Sequence, residues 1–122
     1  MANEITVTMT ARVVNGSFKA AFEPATKQIT QSAIGAHCPV WNVGTSEEDL
    51  SLGDISTPGV IGLLNTDTTN YVQIGPKSGG AMVPIIKLKP GEPAFFRLDS
   101  GVTLRAVANA AACKVMVWAL EN

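Results

Sequence analysis

A chain of 122 residues is the length of one domain and can bury roughly two-thirds of its unfolded surface. Its net charge of −1 supplies no basic footprint for nucleic acid, and no apolar run approaches the ~20 residues of a membrane helix. The charged fraction, 16%, lies well below the usual ~25%. Part of the surface is therefore expected to be covered, with oligomerisation the commonest cover, or else to be neutral through Thr and Ser.

The opening, MANEITVTMTARVV, lacks a basic region followed by an apolar core, so no signal peptide is predicted and the protein is expected in a cytoplasm. Ile5, Val7, Met9, Ala11 and Val13 alternate with Thr6, Thr8, Thr10 and Arg12, the pattern of a strand with one buried face. Asn15-Gly16 then signals a tight hairpin. A type I′ turn there sets Val13 opposite Phe18, Ala11 opposite Ala20 and Met9 opposite Phe22, and puts Arg12 opposite Lys19 on the outer face. Two cations so placed either splay into solvent or meet an acidic group on a neighbour.

Pro24 ends the hairpin. Thr26 to Ile34 reads as a polar edge strand, and His37 to Trp41 as a second segment at an edge or bulge because of Pro39. Glu47, Glu48 and Asp49 form the one acidic cluster, either a single capped helical turn or a solvated loop. From Gly53 onward, four apolar runs are too short for helices: Val60 to Leu64, Tyr71 to Ile74, Met82 to Leu88 and Ala94 to Leu98. Turn residues separate them. Gly75 to Gly80 reads as a flexible loop, Lys89-Pro90-Gly91-Glu92 as a type II turn, and Asp99-Ser100-Gly101 as a hairpin loop. Val102 to Val107 and Cys113 to Leu120 supply two more strands. The sum is an all-β chain: one antiparallel β-sandwich domain over residues 1–122, of eight to ten strands, with the jelly roll among its forms.

The last strand carries a functional hint. Cys113, Val115, Val117 and Ala119 fall on one face, while Met116, Trp118 and Leu120 fall on the other. A strand apolar on both faces needs cover on both, and Phe95 raises the same question. Arg12, Lys19, Phe95, Met116, Trp118 and Leu120 are the interface candidates.

Catalytic chemistry has little to work with. The single histidine, His37, sits beside Cys38, and adjacent strand residues point to opposite faces. Cys38, Cys113 and His37 are too few for a structural zinc site, and the acidic run lacks the alternating carboxylates of a calcium loop. No catalytic residue, cofactor or metal is expected. The cysteines are read as two buried thiols in preference to a disulfide. Trp41 and Tyr71 are core residues or, alternatively, a platform for stacking a sugar.

The run TPGVIGLLNTDTTNYVQIG, then PIIKLKPGEPAFFRL, then Leu104-Arg105-Ala106, resembles small virion structural proteins of tailed bacteriophages. The matching features are Thr57-Pro58-Gly59, the segment Asn65 to Asn70 before Tyr71-Val72-Gln73-Ile74-Gly75, and Lys89-Pro90-Gly91-Glu92 before Phe96-Arg97-Leu98. The likeness covers roughly residues 50 to 120. It implies a β-sandwich or jelly roll that decorates or cements capsids, made in the host cytoplasm and located in the virion. Its partners would be the major capsid protein or other virion proteins, and it would be a homo-oligomer, most readily a trimer, without nucleic-acid or membrane partners. A tail component and a carbohydrate-binding module are the alternatives.

Overall fold

The structure is a computed structural model that describes residues 2–122. Every regular element in it is a strand, and every pairing is antiparallel. The chain divides into two compact units, Met1–Ser32 and Ala33–Asn122.

The first unit is one interrupted hairpin. β1 (Ile5–Val7) pairs with β4 (Lys27–Ile29), and between them β2 (Ala11–Asn15) pairs with β3 (Phe18–Phe22). The predicted register is corrected: Asn15 faces Phe18, Val13 faces Ala20, and Ala11 faces Phe22. The two loop residues are Gly16 and Ser17, and Gly16 has φ +61° while Ser17 has no positive φ. That combination suits a type II′ turn, with glycine at the first central position. The shift of two pairing positions keeps parity, so Val13, Phe18, Ala20 and Phe22 still share a face. Arg12 now faces Ala21, and Lys19 faces Val14. The polar segment after Pro24 forms only the short β4.

The second unit is the sandwich. Its strands are β5 (Ala36–His37), β6 (Val40–Val43), β7 (Glu48–Asp49), β8 (Pro58–Asn65), β9 (Val72–Ser78), β10 (Ala81–Met82), β11 (Ile86–Leu88), β12 (Pro93–Arg97), β13 (Leu104–Ala108) and β14 (Cys113–Glu121). β5 and β6 are one edge strand broken at Cys38-Pro39; both pair with β14. β10 and β11 likewise form one strand along β9, and their registers differ by one residue. The junction holds Pro84, a residue that strands tolerate at such a bulge.

Counted this way there are eight strands in two sheets. One sheet runs β12, β8, β14 and then β5/β6; the other runs β10/β11, β9, β13 and then β7. First pairs with eighth, second with seventh, third with sixth and fourth with fifth, which is a long hairpin rolled into a jelly roll. Two expected hairpins are therefore corners. The Lys89–Glu92 turn and the Asp99–Gly101 loop each carry the chain from one sheet to the other, since β12 pairs with β8 and not with β11 or β13. Their turn chemistry is as expected: the Glu92 N–H donates to the Lys89 carbonyl at 3.0 Å, and Gly91 and Gly101 have positive φ.

The core lies between the sheets. Ile61, Leu63, Val115 and Val117 come from one inner face, and Val72, Ile74, Leu104 and Ala106 from the other. Alternation made these positions legible, because each is an every-second residue of its strand. The Gly75–Gly80 loop is corrected to strand as far as Ser78, with a tight Gly79–Gly80 reversal into β10. Gly75 sits under the bulge: a β-carbon there would overlap the Val83 carbonyl oxygen.

Candidate functional site

The outer faces of the two sheets differ in chemistry. On the β7-β13-β9 sheet the outward charged residues are mutually engaged. Arg105 donates to Asp49 at 2.6 Å, to Glu47 at 3.2 Å and to the Gly80 carbonyl at 2.9 Å. Glu47 also accepts the Met82 N–H at 2.8 Å, and Lys77 approaches Asp49 at 3.9 Å. The hydrogen bond from Arg105 holds the Asp49 carboxyl below the usual carboxylate range. Trp41 packs against the core and donates its indole N–H to Glu48 at 2.9 Å. The acidic cluster is thus neither a helical turn nor a free loop. It is the edge strand β7 and the loop before it, holding a cation and an indole in place.

The β12-β8-β14 sheet presents a different outer face. Register places Phe95 and Trp118 on either side of Gly62, with Pro93 and Met116 on either side of Leu64 in the next row. The Phe95 and Trp118 ring centroids are 6.2 Å apart at 34°, a tilted aromatic pair. Val40 pairs with Met116 on the far side of β14. Val40 is 61% exposed, Met116 50% and Trp118 40%. Together with half-buried Phe95 and Leu64 they present on the order of 300 Å² of apolar surface, a patch size that in monomers is often functional.

Of the six interface candidates, the fold gathers Phe95, Met116 and Trp118 on this face. Leu120 continues the alternation of Met116 and Trp118 in sequence but is buried, at 8% exposure, beside a register shift between Ala119 and Glu121, so it offers no contact on this face. Arg12 and Lys19 lie on the first unit's hairpin. Arg12 is paired with Glu23 of its own chain at 2.6 Å, and both side chains remain largely exposed. Val40 and Leu64 were missed by sequence reasoning. Nothing local distinguishes them, because only the pairing with β14 puts them in the row of Met116.

The hairpin carries a second uncovered apolar face. Phe18 is 62% exposed, Phe22 64% and Val13 43%. The cysteines are both free, but Cys38 is exposed, contrary to expectation, while Cys113 is fully buried. Burial pushes the Cys113 thiol up, with Asp67 adding to the shift. Among the described residues no group of three or more His, Cys, Asp and Glu side chains is placed to hold a metal ion. Comparison with protein-family models, with curated proteins and with solved structures finds no match to this chain.

Proposed function

We propose that this protein is a structural component of a virion, docking on a repeating capsid lattice and stabilising it by protein–protein contact, as the resemblance of residues 50 to 120 implies. The observation that carries the proposal is the apolar outer face of the β12-β8-β14 sheet. Val40, Met116, Trp118 and Phe95 stand in register on a rigid jelly roll, while the opposite outer face is held by its own ion pairs. A face built on paired strands with aromatic anchors suits docking, because strand residues lose little conformational entropy when covered. Repetition then multiplies a modest contact, since a decoration subunit touching several capsomers gains by avidity. Oligomerisation, most readily as a trimer on local threefold positions, belongs to the same reading.

The test adds purified protein to shells assembled without it and reads occupancy together with the shell melting temperature. Saturable binding and a raised melting temperature are expected for the native chain. Trp118→Glu with Met116→Glu should abolish both while leaving the circular dichroism of the free protein unchanged. Retention on isolated tails or on a glycan array, with no binding to shells, would replace this reading with a tail or carbohydrate-binding role.

A further inference from the structure

The jelly roll leaves one side open. β12 ends its sheet with a free edge, and an open groove of about 610 Å³ lies between it and β11 of the other sheet. Its lining is almost wholly apolar, including Ile85, Ile86, Leu88, Phe96, Leu98 and Leu104. Ile85 at its rim is 68% exposed.

The backbone along this groove is also unpaired. The Leu98 N–H donates to Gly59 at 2.9 Å, and the Asn65 N–H to Glu92 at 3.2 Å. By the alternation of an antiparallel ladder, the N–H groups of Ala94 and Phe96 then face β8, whereas those of Phe95 and Arg97 point to the open side. Pro93 removes one outward donor at the end of the strand, so an incoming strand would pair from Phe95 onward. A free edge above an apolar groove is the arrangement that accepts an added strand.

We infer that this edge accepts β3 of the hairpin from a second copy of the chain. Three observations select that occupant. β3 and β12 are both five residues long. Phe18, Ala20 and Phe22 alternate along β3 with no charge on their face, so a β3 paired beside β12 turns that face into the groove next to Ala94 and Phe96. The hairpin itself is two-stranded, and an isolated two-stranded hairpin is marginal in water until its apolar face is covered. The area is sufficient. The hairpin face, with two Phe rings each more than half exposed, offers on the order of 400 Å² of apolar surface. A matching area of groove, and a polar rim in the usual proportion, bring the contact to roughly 1,400 Å², within the range of stable interfaces. The contact is head-to-tail, each copy giving a hairpin and receiving one; it makes a ring where the rotation between copies closes and an open filament where it does not. It deepens the lattice reading by assigning the copy-to-copy contact.

The test measures self-association by sedimentation in the absence of shells, so failure of shell binding and failure of strand exchange are separately visible. The native chain should form oligomers. Phe18→Asp with Phe22→Asp should weaken assembly at least ~10-fold, or ~1.4 kcal/mol, with unchanged circular dichroism. Phe95→Pro deletes the outward N–H together with the ring and should have the same effect, whereas Phe95→Ala deletes the ring, keeps that donor and should assemble. Ile85→Asp reads the facing rim of the same groove should Phe95→Pro disturb the sheet. Mixing the double-Asp chain with an assembly-defective edge variant should restore dimers, because the mixture contains one intact hairpin and one intact edge. A native chain that stays monomeric at the highest attainable concentration would overturn the proposal. So would edge variants that both assemble like the native chain, or a mixture that stays monomeric.

Discussion

Asn65 is the most informative single residue in the sandwich. It is the one buried polar residue among those described, fully inaccessible, and both amide hydrogens and the oxygen of its side chain are engaged. Nδ2 donates to the carbonyls of Asn70 and Leu88, each at 3.0 Å, and Oδ1 accepts the Asp67 N–H at 3.0 Å. Its backbone also binds the Lys89–Glu92 corner through Gly91 and Glu92. One amide thus ties the end of β8, the Asn65–Asn70 loop and the end of β11 together. Asn65→Ala leaves three groups without partners and should cost about 3 kcal/mol, measured by urea unfolding. A loss below about 1 kcal/mol would mean that water replaces the amide. In the sequence this residue looks like one more turn former, because nothing local distinguishes a buried amide from a solvated one.

Asp67 works in the same loop, accepting N–H groups from Thr69 at 2.9 Å and Asn70 at 2.6 Å. The Asn70 bond, then the Thr69 bond, holds its carboxyl below the ordinary value. A folded-state pKa below the unfolded one contributes stability that is present above the ordinary carboxylate range and is lost as pH falls through the folded value. Asp67→Ala should therefore lower the melting temperature at neutral pH, and the gap to the native chain should narrow on acidification. Two parallel curves of melting temperature against pH would contradict this origin.

At the scale of elements, strand positions follow from alternation and turn chemistry, which are local, whereas strand partners do not. β12 follows the Lys89–Glu92 turn yet pairs with β8, because the apolar face of each strand is buried best when the chain crosses between sheets. The hairpin register failed for a related reason. Asn15-Gly16 and Gly16-Ser17 both satisfy turn rules, and the two outcomes keep the same residues on the same faces, so hydrophobic pattern cannot choose between them. The run from Met82 to Leu88 reads as one strand in the sequence; its break at Pro84, with the close approach of Val83 to Gly75, depended on β9 lying alongside. That close approach is testable. Gly75→Ala forces a methyl group against the Val83 carbonyl and should destabilise the sandwich by about 2 kcal/mol. Unchanged stability would show that the bulge yields easily.

On the scale of the whole molecule, the sandwich divides its labour between its two outer faces. One is closed by Arg105, Asp49, Glu47 and Lys77; the other leaves Val40, Met116 and Trp118 uncovered. The second face was half legible in the sequence. The two-sided apolar character of β14 pointed to Met116 and Trp118, and to Phe95 by analogy, but included Leu120, which the fold buries. Leu120 lies beside a register irregularity between Ala119 and Glu121, and alternation along a single strand does not register such a break. The groove beside β12 was not legible at all, since it is made by two strands that never pair. The most direct measurement of the central claim is a cryo-EM map of the assembled particle. The expected result is density for this jelly roll on the shell, with Trp118, Met116 and Val40 turned toward capsid subunits. A map in which the shell-bound protein leaves that face in solvent, or in which the shell carries no such density, would contradict it.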